Sequence, residues 1–238
     1  MGEWSPVAEE WARWWGSFAA PARDLIARAA AVGAATRTLD VGCGSGEFLA
    51  ELAARGARVA GLDPAPKMVE LARQAVPTAD VQIGEAESLP WPDAGFDLVT
   101  AINALQFTDD PDAAVAEMVR VAAPGGLLAV ANWAERARNE IDAIDAALND
   151  EPGEDGDLRL PDGLPDLLGA AGVEIVDAGL VEVPWEVPDD EALVAGILLG
   201  EDPESGPAII EAARAFRTAS GGYRFVNHFR YAIGRRPE

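Results

Sequence analysis

Arg37-Thr38-Leu39-Asp40-Val41-Gly42-Cys43-Gly44-Ser45-Gly46-Glu47-Phe48 is the stretch that decides the fold. It reads as a buried strand, a glycine turn and the first turn of a helix. Leu39 and Val41 form the apolar run of the strand. Gly42, Gly44 and Gly46 permit a sharp turn and let a ligand approach main-chain atoms, because no Cβ intervenes. Phe48, Leu49 and Leu52 recur at helical spacing, so a helix begins near Gly46. Such a helix start offers free N–H groups and a partial positive charge. In open α/β sheets this is where nucleotide-like ligands bind.

The glycine spacing is G-x-G-x-G, and Glu47 stands where the dinucleotide fingerprint G-x-G-x-x-G has its third glycine. A pyrophosphate seated on the helix N-terminus would face both Glu47 and Asp40. An ammonium or sulfonium group suits this acidic loop better. Around the loop the sequence Leu-Asp-Val-Gly-Cys-Gly-Ser-Gly resembles the first motif of class I S-adenosylmethionine-dependent methyltransferases. The resemblance is to the small-molecule type, with a domain like those of ubiquinone and menaquinone biosynthesis.

Downstream, Phe48 to Arg55 reads as a helix stopped by Gly56, and Arg58 to Leu62 as a second strand ending in Asp63. Asp63 lies 21 residues beyond Gly42, the place for a carboxylate that accepts from ribose hydroxyls. The alternative is a carboxylate that merely caps the helix after Pro64, and with the glycine loop in place the ribose role is favoured. Met68, Val69, Leu71 and Ala72 form the face of that helix, and Asp80 to Gly84 a third strand. A fourth strand spans Phe96 to Thr100. A helix over Ala113–Val121 follows, and Pro124-Gly125-Gly126 turns into a fifth strand, Leu127 to Trp133. The family carries a similar Pro-Gly-Gly turn, and the resemblance runs in order over residues 37–133.

The resemblance implies a cofactor, S-adenosyl-L-methionine, and a set of residues to hold it. These are Asp40, Gly42, Cys43, Gly44 and Gly46 in the loop, then Asp63, Pro64 and Met68. Glu85 and Ala86 follow for the adenine, with Glu85 where the family's small-molecule members usually have Asp. Asn103, Ala104 and Gln106 would touch the methionine portion. The implied fold is a doubly wound α/β fold. It has a mostly parallel, seven-stranded Rossmann-like sheet, an antiparallel last strand and a helical lid. The implied reaction is methyl transfer to an oxygen, nitrogen or carbon of a small-molecule acceptor.

Ahead of the first strand, Trp11, Trp14, Trp15 and Phe18 fall at i, i+3, i+4 and i+7, one face of a helix that Pro21 interrupts. They pack as core or lie over the cofactor as a lid. Trp11, Trp14, Trp15 and Trp133 are the aromatic candidates for an acceptor pocket. Beyond Trp133 the signals thin. Asn149 to Asp157 reads as an acidic mobile loop, and Leu164 to Ala171 as a short helix stopped by Gly172. Val173 to Val176 opens a sixth strand, with Val181 to Trp185 its continuation or partner. Asp189–Leu199 and Glu204–Thr218 read as helices, and Tyr223 to Ile233 as one final strand. The domain division is then a lid segment at 1–36, a cofactor core at 37–133, a variable region of cover helices and a sixth strand at 134–222, and the final strand and tail at 223–238.

Direct displacement from a sulfonium needs alignment and exclusion of water more than a fixed catalytic set. A general base would assist. His228, the single histidine, is the default candidate, against a histidine merely held within the last strand. Tyr223, which the resemblance places near the active-site edge, is the other, and Asp109 is no better supported. No metal is expected: Asp109-Asp110-x-Asp112 reads as a helix start, where carboxylates favour the N-terminus.

The chain has 238 residues and a formal charge of −23, so nucleic acid and anionic membrane are disfavoured as partners. One cysteine allows no intramolecular disulfide, and no basic N-region before an apolar run marks a signal peptide. A cytoplasmic protein is the expectation, and its oligomeric state is not legible. The competing readings are a non-catalytic cofactor-binding or regulatory protein of this fold, a nicotinamide-dependent oxidoreductase, and an enzyme using the same cofactor for another reaction.

Overall fold

A computed structural model describes residues 4–149, 153–200 and 203–238. Two short helices lead, α1 (Ala8–Trp14) and α2 (Ala20–Ala29), with Pro21 in the first turn of α2, where its missing N–H costs nothing. Strand and helix then alternate: β1 (Arg37–Val41), α3 (Glu47–Ala54), β2 (Arg58–Asp63), α4 (Pro66–Ala75), β3 (Asp80–Ile83), β4 (Phe96–Ile102), α5 (Pro111–Val121) and β5 (Ala122–Trp133). The C-terminal part adds α6 (Asp142–Leu148), α7 (Gly163–Ala170), β6 (Glu174–Glu182), β7 (Trp185–Val187), α8 (Asp190–Leu198), α9 (Gly206–Ala212), β8 (Tyr223–Phe225) and β9 (His228–Arg235).

Among the described residues, seven strands form one sheet in the order β3-β2-β1-β4-β5-β9-β6. Strands β1 to β5 are parallel, and β9 runs antiparallel to both β5 and β6. The doubly wound sheet with its antiparallel last strand is therefore as the sequence implies. Strand order reverses between β1 and β4, and the crevice there is where doubly wound sheets bind ligands. Alternate side chains feed two apolar layers. On β5, Leu128 and Val130 pack with Leu39, Val41, Val115 and Met118. Ala129 and Ala131 face Phe18, Ile26, Phe48 and Leu49.

Three features of the C-terminal part depart from the sequence reading. The segment expected as one strand from Tyr223 to Ile233 is two. At the break, Val226 N–H donates to Glu140 Oε2 (2.5 Å) and His228 N–H to Asn139 Oδ1 (2.9 Å). Side chains from the loop after β5 thus take the backbone donors that a ladder would use, and β8 turns away to pair with β7. Val181 and Glu182 continue β6, whereas Trp185 belongs to β7. The helix expected over Glu204–Thr218 is α9 followed by a tight 3-10 turn, Ala213–Phe216. The loop expected at Asn149 to Asp157 falls partly on residues 150–152, outside the described ones; residues 153–156 carry no regular structure.

Candidate active site

A cavity of about 420 Å³ opens at the C-terminal ends of β1, β2 and β4. The glycine loop forms its floor. Gly42 and Cys43 N–H both donate to Leu62 O (2.8 and 2.9 Å), which ties the loop to β2. The glycines do different work. Gly42 has φ +73°, and a Cβ there would meet Ala104 Cβ at 2.4 Å, so the β4 loop closes on it. Gly46 has φ +94° and faces Ala72 Cα at 2.8 Å, setting the α3–α4 contact. Gly44, at φ +52°, has nothing within 4 Å of its Cβ position and lines the cavity.

Asp63 links the loops. Its Oδ2 accepts from Gly44 N–H and its Oδ1 from Ala65 N–H, both at 2.9 Å. Burial lifts its pKa, these two N–H groups oppose the shift, and Glu85 adds to it. Asp40 is 4% exposed, and Thr100 Oγ1 donates to its Oδ1 at 2.6 Å across the β1–β4 pair. Burial pushes Asp40 up to about 7; Thr100 and Arg23 oppose this, while Asp63 and Glu47 add to it. Burial beside these carboxylates also raises the Cys43 thiol well above its usual range, so it stays protonated and is no nucleophile. Glu47 Oε1 accepts from Ser45 Oγ at 2.5 Å.

Arg23 is the basic residue lining the cavity, held by Glu51 (Nε to Oε1, 2.8 Å) and Gly16 O (3.0 Å). Aromatic groups from the N-terminal segment cover the other side. Trp4 meets Trp11 (5.1 Å between ring centroids) and, across the mouth, Phe107 (5.2 Å). Trp11 stacks on Trp15, which stacks in turn on Trp185 at 4.3 Å.

A second, more open cavity of about 390 Å³ adjoins the first and shares Leu105 and Thr108 with it. Gln106, Asn132 and Trp133 line it, with residues 156–159 opposite. Asn103, at the end of β4, holds φ +56°, an unusual conformation for a residue with a Cβ. Its Oδ1 accepts from Gln106 Nε2 at 2.6 Å.

The structure brings together Asp40, Gly42, Cys43, Gly44, Asp63, Pro64, Met68, Glu85, Ala86, Asn103 and Ala104, along with Trp11 and Trp15. Gly46 packs behind the loop, and Gln106 and Trp133 lie in the second cavity. Trp14 lines neither cavity; its indole donates to Glu10 and Arg13 lies 4.4 Å over its ring. Both base candidates stand elsewhere. Tyr223 is 1% exposed and donates to Asp190 Oδ1 at 2.7 Å, because β8 leaves the main sheet. His228 Nδ1 lies 2.9 Å from Arg138 O on the outer side of the β9 start. Sequence reasoning overlooked Arg23, Trp4 and Phe107. Arg23 left a trace, a charge interrupting the apolar face of α2 between Ala22 and Ile26.

The arrangement fits an adenosyl sulfonium ligand. Open space over Gly44 leaves the main chain accessible, and three carboxylates, Asp40, Asp63 and Glu85, line the cavity. Residues 39–130 match the family model described as a methyltransferase domain. The chain is 36% identical over 141 residues to malonyl-[acyl-carrier protein] O-methyltransferase of Serratia marcescens, covering 57% of this chain and 55% of that protein. It is 36% identical over 124 residues to an uncharacterized methyltransferase of Mycobacterium tuberculosis, covering 52% of this chain and 49% of that protein. The chain spans about half the length of the curated relatives it matches. Among solved structures, the YcgJ protein of Bacillus subtilis shares the fold at a TM-score of 0.66 and 21% identity, covering 91% of this chain and 98% of that one. A SAM-dependent methyltransferase of Aquifex aeolicus does so at 0.60 and 18%, covering 95% and 97%.

Proposed function

We propose that this chain, of which residues 39–130 match the methyltransferase-domain model, is a class I S-adenosylmethionine-dependent methyltransferase and that it methylates an oxygen, nitrogen or carbon of a small molecule. The observation that carries the reading is the cavity over Gly44, walled by Asp40, Asp63 and Glu85 and covered by Trp4, Trp11 and Trp15. When bound, S-adenosylmethionine supplies a methyl carbon on a positively charged sulfur, which keeps the electron pair of the broken S–C bond. Asp63 would hold the ribose hydroxyls, Glu85 and Ala86 the adenine, and Asp40 would face the cationic end. Asn103 and Ala104 would set the line of attack. The aromatic cover would exclude water. Positioning of this kind supplies up to ~7–11 kcal/mol of rate acceleration in favourable cases.

The division into a lid at 1–36, a core at 37–133, a cover at 134–222 and a closing strand at 223–238 belongs to the same proposal. The contribution of α1 to the cavity wall supports the first of these. No described helix is long and apolar enough to cross a membrane. A charge of −23 supports a small acceptor over nucleic acid. His228 and Tyr223 stand outside the cavity, which favours transfer by alignment rather than through either as base. The test is to incubate the protein with S-adenosylmethionine and a panel of amines, phenols and acids, following S-adenosylhomocysteine and methylated product by mass spectrometry. Formation of product that is lost in Asp63→Ala supports the proposal; no turnover of any acceptor by protein that binds the cofactor favours a regulatory role.

A further inference from the structure

Two residues that line the second cavity, Gln106 and Asn132, each carry a buried amide oxygen with no hydrogen-bond partner, Gln106 Oε1 and Asn132 Oδ1. Buried acceptors are normally paired, and an unpaired one costs free energy that a site can recover only from a ligand or water. Gln106 is not free to turn its oxygen away. Its Nε2 donates to Asn103 Oδ1 (2.6 Å) and to the Asn103 backbone oxygen (3.3 Å), and a flipped amide would set oxygen against a carbonyl oxygen. Asn132 is 2% exposed near the end of β5. Gln106 lies in the 3-10 turn Leu105–Phe107 that follows β4, and Asn132 near the end of the neighbouring strand β5, beside Trp133.

The charges around this cavity are already matched. Arg159 lines it, but its guanidinium bonds Ala134 O (2.8 Å) and pairs with Asp142 (3.3 Å) and Asp155 (3.4 Å). Asp157 lines the same wall. A carboxylate entering here would meet a committed cation, an acid and two electron-rich oxygens. Trp133 offers an aromatic surface, fixed by stacking on Phe18 at 5.0 Å.

Resting on the methyl-transfer reading, we propose that this second cavity receives the acceptor, and that it selects an uncharged or cationic molecule bearing an amine or hydroxyl over a carboxylate. Donors on the acceptor satisfy Gln106 and Asn132, and Trp133 packs against its apolar or cationic body. Shared walls at Leu105 and Thr108 set the acceptor beside the cofactor cavity.

The test uses benzylamine, benzyl alcohol and benzoate as probes, by saturation-transfer NMR on protein saturated with S-adenosylhomocysteine. Benzylamine and benzyl alcohol should bind and benzoate should not. Asn132→Leu should weaken the amine by about fivefold or more, with S-adenosylhomocysteine affinity within about twofold and Tm no lower than the parent's; Gln106→Met should weaken the amine as well, with some loss of Tm because it also removes the bond to Asn103 Oδ1. Equal binding of benzoate, no binding of either donor-bearing probe, or unchanged amine affinity in both variants would overturn the proposal. A marked fall in Tm in Asn132→Leu would also overturn it, since the Asn132 oxygen would then be paired in solution. Should S-adenosylhomocysteine fail to bind the parent protein while the probes behave as expected, the methyl-transfer reading falls and the donor-selective cavity stands.

Discussion

Asp40 lies between β1 and β4 with Thr100 donating to it, and its pKa of about 7 stands above the ordinary 3.8 because burial opposes its charge. The folded protein therefore keeps a proton there that the unfolded chain has already lost. The contribution of Asp40 to stability is complete below pH ~4 and declines as pH rises toward ~7. Asp40→Asn should flatten this part of the stability profile and, near pH 8, melt above the parent; thermal melts near pH 5 and pH 8 decide it. A cation in the cavity favours the ionised form. S-adenosylmethionine affinity of the parent should accordingly tighten as pH rises through ~7, and that dependence should vanish in Asp40→Asn. Asp63 differs, since two N–H groups bond it directly. Removing it in Asp63→Ala should cost cofactor affinity at least roughly tenfold by calorimetry, because charge-assisted bonds are worth ~1.5–3 kcal/mol. Asp63 was legible in the sequence from its distance to the glycine loop. Arg23 was not, because its partner Glu51 lies 28 residues away and no local pattern joins them.

The glycine loop and the helices beside it separate folding from function at the scale of elements. Gly44 and Gly46 both hold positive φ, yet only Gly46 abuts backbone, at Ala72. Gly46→Ala should destabilise the protein by about 1–3 kcal/mol through overpacking, measured in denaturant. Gly44→Ala should cost about 1–2 kcal/mol for its backbone conformation and fill the open space over the loop, so that cofactor affinity falls while the fold survives. The aromatic ladder of α1 divides similarly. The Trp15 indole donates to Gly196 O at 2.7 Å and stacks on Trp185, so Trp15→Ala should lose about 3–5 kcal/mol. Half-buried Trp11, which lines the cavity, should show its loss in ligand binding more than in Tm. The spacing showed that a helix leads the chain, but α1 ends at Trp14, so Trp15 and Phe18 lie in the turn beyond it and not on its face. Which tryptophan faced the cavity was not legible, since the answer rests on α8 and β7, over 170 residues away.

Strands β1 to β5 and their helices could be read because each carries its own period, with a break at Gly56; Pro124-Gly125-Gly126, expected as a turn, lies instead within β5, where the register with β4 shifts. The C-terminal third resisted for a physical reason. Asn139 and Glu140 divide β8 from β9 by hydrogen bonds spanning 89 and 86 residues, which moves Tyr223 away from the cavity. The molecule thus joins a glycine-loop half written in local motifs to a C-terminal part assembled from distant contacts, with the second cavity at Gln106, Asn132 and Trp133. An acidic glycine loop of this kind is expected to hold an adenosyl sulfonium compound and not a dinucleotide. The most direct measurement is calorimetric titration of the protein with S-adenosylmethionine, S-adenosylhomocysteine and NAD, with Asp63→Ala alongside. Both adenosyl ligands should bind, NAD should not, and the variant should lose affinity. Binding of NAD, or of neither adenosyl ligand, would contradict that expectation.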